Sequence, residues 1–120
     1  MNILLVEDNR MQMLAVSELL RKNGYTVFQA SDGFQAIELA DLIKMNLVIS
    51  DIFMPKMGGI GLSEYMSSQG LYKAPFILIT SASATELEHY KQHLHNSVIV
   101  RKPIDSEELL TKIKQAIAAA

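Results

Sequence analysis

The chain contains no cysteine, which excludes disulfides and thiolate metal sites and fits a reducing compartment. It has no apolar stretch near the ~20 residues that a membrane-crossing helix needs, and no signal peptide is expected ahead of its first apolar run. An excess of one charge is lacking too: 11 basic and 13 acidic residues leave a net charge of −2. No broad nucleic-acid surface is therefore expected. A glycine-rich phosphate loop is also missing, because Glu7-Asp8-Asn9-Arg10 follows the first apolar run; that argues against a flavin or dinucleotide protein. These absences leave a cytoplasmic protein, and 120 residues with 49% apolar content suit one folded domain over residues 1–120.

Short β-branched runs alternate with helical patterns along the whole chain, which predicts a parallel α/β sheet. Strands are expected over 2–6, 26–30, 46–51, 75–80 and 97–101. Apolar residues recur at helical spacing between them: Leu14, Ala15, Leu19 and Leu20; then Ala36, Ile37, Ala40 and Ile43; finally Leu109, Leu110, Ile113 and Ile117. Ser83-Ala84-Thr85-Glu86 and Asp105-Ser106-Glu107-Glu108 read as capping boxes, and Gly24 stands where the first helix should stop. The acidic start of the last helix and its Lys112 and Lys114 match the helix dipole.

The third and fourth strands are apolar on both sides, as a sheet covered on both faces requires. Right-handed crossovers cover both faces only if the winding reverses once, and at that reversal two strands leave a crevice at their C-terminal ends. The apolar runs end in polar residues at that edge: Glu7-Asp8, Asp51, Thr80 and Arg101-Lys102-Pro103. Three carboxylates sharing a crevice repel one another, and a divalent cation relieves this. An all-oxygen set selects Mg2+ or a similar hard ion, which needs further ligands such as a phosphate. Lys102 offers a point charge and Thr80 a hydroxyl for phosphoryl oxygens. An aspartate beside a metal and a lysine can attack phosphorus.

With Glu7-Asp8, Asp51, the Met54-Pro55-x-Met57-x-Gly59 loop, Thr80-Ser81 and Lys102-Pro103 in this order, the chain resembles a bacterial response-regulator receiver domain from Asn2 to about Ile117. The resemblance implies a flavodoxin-like, doubly wound domain of two-component signalling, with strand order 2-1-3-4-5 and five helices. Asp51 would accept a phosphoryl group from a sensor histidine kinase or a phosphotransfer protein. Asp8, Asp51 and the backbone carbonyl of Phe53 would bind Mg2+, with Glu7 acting through water. Lys102 would hold a phosphoryl oxygen, Thr80 would report its presence, and the bond before Pro103 would be cis. Phe53 and Ala82 would flank the phosphoryl group and influence its hydrolysis. The fourth helix, fifth strand and last helix, around His89 to His93 and Arg101, would present a face to a target protein, an effector domain or a second copy in a phosphorylation-dependent homodimer.

Two positions depart from the family pattern. Ile99 stands where an aromatic residue usually rotates with the threonine, so the switch is expected to be damped or carried by backbone movement. Gly58 replaces a common acidic or amide residue and is expected to loosen its loop. Other readings compete. Asp8 and Asp51 taken singly read as solvated strand ends. Ile99 keeps open an interaction module independent of phosphate. A haloacid-dehalogenase-like hydrolase would need a second aspartate two residues after its nucleophile, where Phe53 stands. His89 and His93 have zinc-clamp spacing with only His95 nearby as a third ligand. They are better read as the polar face of a fourth helix whose Leu87, Tyr90 and Leu94 point inward. The methionines read as packing residues, with Met54 and Met57 part of the loop motif rather than a partner-docking cluster.

Overall fold

Alternation along each strand builds a two-faced sheet. The computed structural model describes residues 1–68, 73–94 and 97–120. Strands β1 (Asn2–Val6), β2 (Thr26–Ala30), β3 (Leu47–Asp51), β4 (Phe76–Thr80) and β5 (Val98–Arg101) form one parallel sheet in the order β2-β1-β3-β4-β5. Successive side chains point to opposite faces. Ile3, Leu5, Ile49, Ile77, Ile79 and Val100 therefore pack on one side with Met13, Val16, Leu20, Leu109 and Ile113. Leu4, Val6, Val48 and Leu78 pack on the other with Ala36, Ala40, Leu62 and Met66. Helices α1 (Arg10–Lys22) and α6 (Ser106–Ala119) cover the first face; α2 (Gly33–Leu42) and α3 (Gly59–Ser68) cover the second. Strands β3 and β4 are buried at every residue.

The crevice edge follows from register. Val6 is paired with Ser50, Asp51 with Ile79, and Thr80 with Arg101. Glu7, Asp51, Thr80 and Lys102 consequently leave the sheet side by side. β1 is the strand at which the winding reverses, with β2 on one side and β3 on the other.

Three strands begin one residue later than expected. At β4 the reason is local: Pro75 has no N–H to donate, although its carbonyl still accepts from the Val48 amide at 3.0 Å. The expected fourth helix is two pieces, α4 (Ala84–Glu88) and α5 (Lys91–Leu94), so six helices rather than five stand among the described residues. Neither piece buries a side chain fully, and a helix without a buried face lacks its main support. Leu87 and Leu94 do lean on the core, but Tyr90 is exposed, contrary to the inward face expected of it. In α1 the buried stripe is Met13, Val16, Ser17 and Leu20, while Leu14 and Ala15 face outward. Leu20 is buried and Leu19 packs against the core as expected, and packing against the sheet takes Met13 and Val16 in place of Leu14 and Ala15. Met11 and Leu14 remain on the surface.

The signals that mark helix ends act as expected at Ser83 and Gly24, and Asp105 caps its helix without completing the expected capping box. The Ser83 hydroxyl accepts from the Glu86 amide while the Glu86 carboxylate accepts from the Ser83 amide, both at 3.2 Å. Gly24 adopts φ +89° after α1, a conformation that glycine reaches without steric penalty. Asp105 accepts from the amides of Glu107 and Glu108 at the start of α6.

Candidate metal and phosphoryl site

Five of the residues named from sequence meet at the C-terminal edge of the sheet. Carboxylate oxygens of Glu7, Asp8 and Asp51 lie within 4.8 Å of one another, the one such grouping of three metal-ligating side chains among the described residues. Glu7, Asp51 and Thr80 are buried, whereas Asp8 is exposed. The Lys102 ammonium lies 2.8 Å from Asp51 Oδ1 and 3.4 Å from Glu7 Oε1. The Thr80 hydroxyl accepts from the Ala82 amide at 3.0 Å, and the Lys102 amide donates to the Thr80 carbonyl at 2.8 Å. The Lys102-Pro103 peptide bond is cis.

Charge in the crevice is unbalanced, and protonation shows it. Burial pushes the Glu7 carboxyl above its ordinary 4.5, and the Asp51 carboxylate adds to the rise; the Asn9 amide and Lys102 oppose it. Burial pulls the Lys102 ammonium down, but its hydrogen bond and ion pairs with Asp51 and Glu7 outweigh that and leave it above 10.5. Two of the three acidic side chains, Glu7 and Asp51, thus share one ammonium. The donor set is all oxygen, close-spaced and carries surplus negative charge, which fits a hard divalent cation with water or phosphate completing its shell.

Phe53 follows two residues beyond the acceptor candidate, with its ring half exposed. The ring meets Tyr90 edge-on, centroids 5.2 Å apart and planes at 65°. Ile99 is half-buried in β5 beside Leu78, and its carbonyl accepts from Lys112 at 3.0 Å. Gly58 does not loosen its loop as expected. A Cβ there would collide with the Ile52 carbonyl oxygen, and one on Gly59 would lie 2.5 Å from the Asp51 carbonyl oxygen. The two glycines therefore let the start of α3 close tightly on the backbone around Asp51.

The expected histidine pair falls on separate pieces. His89 sits in the turn after α4, while His93 Nδ1 lies 2.6 Å from Glu64 Oε1 and ties α5 to α3. His95 lies outside the described residues. Sequence reasoning also missed Ser50, whose buried hydroxyl donates to the Asp51 carbonyl at 2.9 Å, and the helix caps Asn9 and Asp32. The caps carried a readable signal, an asparagine or aspartate before a helical pattern. Asp32 accepts from the Gln35 amide, which holds its carboxyl below the ordinary range despite burial, with Lys56 assisting. Lys56 itself has φ +65° in the loop that follows β3.

A family model described as "response regulator receiver domain" matches residues 3–114. The transcriptional regulatory protein PdtaR of Mycobacterium tuberculosis is 31% identical over 117 residues, covering 97% of this chain and 56% of that protein. The chain spans about half the length of such curated relatives. Among solved structures, the Vibrio cholerae chemotaxis protein CheY4 aligns with a TM-score of 0.86 at 28% identity, over 96% of this chain and 97% of that one. The signal receiver domain of a histidine kinase from Syntrophus aciditrophicus aligns with a TM-score of 0.90 at 27% identity, over 99% and 91%.

Proposed function

The chain belongs to the response regulator receiver domain family, and from that premise we propose that it takes a phosphoryl group onto Asp51 from a phosphohistidine. The donor would be a sensor histidine kinase or a phosphotransfer protein. One observation carries the reading: acidic oxygens of residues 7, 8 and 51 converge within 4.8 Å while the Lys102 ammonium touches Asp51 at 2.8 Å. In the transfer, an Asp51 oxygen attacks phosphorus, the phosphorus–nitrogen bond breaks, and the imidazole leaves with its electron pair. Lys102 then holds a phosphoryl oxygen, and Thr80 turns its hydroxyl toward another and releases the Ala82 amide. Asp8, Asp51 and the Phe53 carbonyl would hold Mg2+, with Glu7 acting through water. When bound, that ion neutralises charge building on the phosphoryl oxygens. Water attack on phosphorus returns the Asp51 carboxylate and inorganic phosphate, so the protein is catalytic only toward itself.

We read residues 1–120 as one receiver domain. Its outputs would be a target protein, an effector domain or a second copy, met around His89 to His93 and Arg101. No helix among the described residues is long and apolar enough to cross a membrane, and a cytoplasmic site suits partners of this kind; no direct contact with nucleic acid is proposed. Acetyl phosphate or phosphoramidate with Mg2+ should leave an acid-labile adduct on the wild type and none on Asp51→Asn. No adduct on the wild type would refute the reading. Ile99, which cannot swing a ring, favours one alternative, a receiver-fold module that binds partners regardless of phosphate. Equal partner binding by wild type and Asp51→Asn, with and without donor, would establish that instead.

A further inference from the structure

We infer that Tyr90, through the ring of Phe53, carries the state of the acidic crevice to the α4–α5 segment. The inference rests on the phosphoacceptor reading and concerns its regulation. Phe53 belongs to two places at once. Its backbone lies two residues from Asp51, in the loop that Gly58 and Gly59 close against the site, and its ring meets Tyr90 edge-on at 5.2 Å. Tyr90 lies in the break between α4 and α5. No side chain of either piece is fully buried. The segment is tied by the Ser83–Glu86 capping box at one end and by the His93–Glu64 pair at the other. Elements with little buried surface open at low free energy, and moving parts are drawn from them.

Geometry also argues for this route over one through β5. Ile99 is β-branched, half-buried beside Leu78 and held at its carbonyl by Lys112. It has no ring to exchange between core and surface. The Thr80 hydroxyl accepts from the Ala82 amide, two residues ahead of α4. A shift of the Phe53 backbone on filling of the crevice moves its ring against Tyr90, at the point where the helix is already interrupted. Coupling of this kind requires an element with two arrangements that the site biases, and we assign that role to the interrupted helix.

The test compares wild type, Tyr90→Phe and Tyr90→Ala by hydrogen exchange of residues 84–94, with and without Mg2+ plus beryllofluoride as the phosphoryl mimic. Mg2+ affinity and adduct formation are measured alongside. Filling the crevice should change exchange in this segment several-fold in wild type and in Tyr90→Phe, which keeps the ring. In Tyr90→Ala that difference should be lost while Mg2+ affinity and adduct formation persist. A merely structural tyrosine would alter exchange equally in the empty and filled states. An undiminished difference in Tyr90→Ala overturns the inference, as does adduct formation in wild type with no change in residues 84–94. Failure of wild type to take beryllofluoride or phosphoryl overturns the phosphoacceptor reading itself, and the coupling with it.

Discussion

Replacing Lys102 by methionine should strengthen Mg2+ binding while weakening phosphoryl transfer. The ammonium stands 2.8 Å from Asp51 and 3.4 Å from Glu7, so it engages oxygens that a metal would need. Two unit charges ~4 Å apart interact by about 4 kcal/mol in surroundings of effective dielectric ~20. The lysine side chain is 19% exposed and can swing aside, which reduces its opposition to a second cation. We expect about 1.4 kcal/mol in favour of the metal, a tenfold gain in affinity. Without metal, the variant leaves Glu7 and Asp51 buried with no counter-ion. Removing one partner of a buried pair costs about 3–5 kcal/mol; uptake of a proton by Glu7 lowers this, and we expect a loss of about 1–2 kcal/mol. Saturating Mg2+ should recover most of that loss, because a tenfold gain in affinity adds about 1.4 kcal/mol to the folded state. Calorimetric titration with Mg2+ and urea unfolding at several Mg2+ concentrations measure both quantities. Unchanged or weaker Mg2+ binding, with metal-free stability also unchanged, would refute this account of the crevice.

Three further outcomes are expected. Because the folded pKa of Glu7 is raised above 4.5, the folded state holds the extra proton between those values. The contribution of Glu7 to stability is then fully present below 4.5 and lost as pH rises through the raised value; Glu7→Gln should remove that component of the slope in urea titrations across the range. Gly58→Ala forces the Ile52 carbonyl or the loop itself to move, so it should destabilise the protein by about 1–3 kcal/mol and weaken Mg2+ binding, which chemical denaturation and calorimetry would show. Leu62→Ala empties a fully buried position between α3 and the sheet; thermal unfolding should report a loss of about 2–5 kcal/mol, with Mg2+ affinity kept.

Strand positions and the polar edge were legible because periodicity and strand ends are local signals. Ile77, Leu78 and Ile79 could hardly be anything but a strand buried on both faces, and Thr80 marks its end. The face of α1 was half legible. Leu19 and Leu20 do pack on the core, but Leu14 and Ala15 fit the same helical spacing as Met13 and Val16, and only contact with β-sheet side chains separates those pairs. The interruption at His89 and Tyr90 was likewise hidden, since Leu87, Tyr90 and Leu94 have the spacing of one continuous helix. Only Leu87 and Leu94 of that spacing pack against the core and neither is fully buried, which is a tertiary fact. The tight packing at Gly58 was hidden for a similar reason: a glycine in a loop reads as freedom until the carbonyl it faces is known. Asn9 and Asp32 could have been found, because each precedes a helical pattern with the side chain a cap requires.

The register pairs that line up residues 7, 51, 80 and 102 give the two rims of the sheet unequal tolerance. Adding or deleting one residue inside β3 would turn Asp51 to the opposite face and rotate the rest of that strand's side chains with it. At the opposite rim, Asn23, Gly24 and Lys44 are exposed between helix and strand, far from the acidic edge. Foreign sequence inserted at those exposed residues should leave the acidic edge intact.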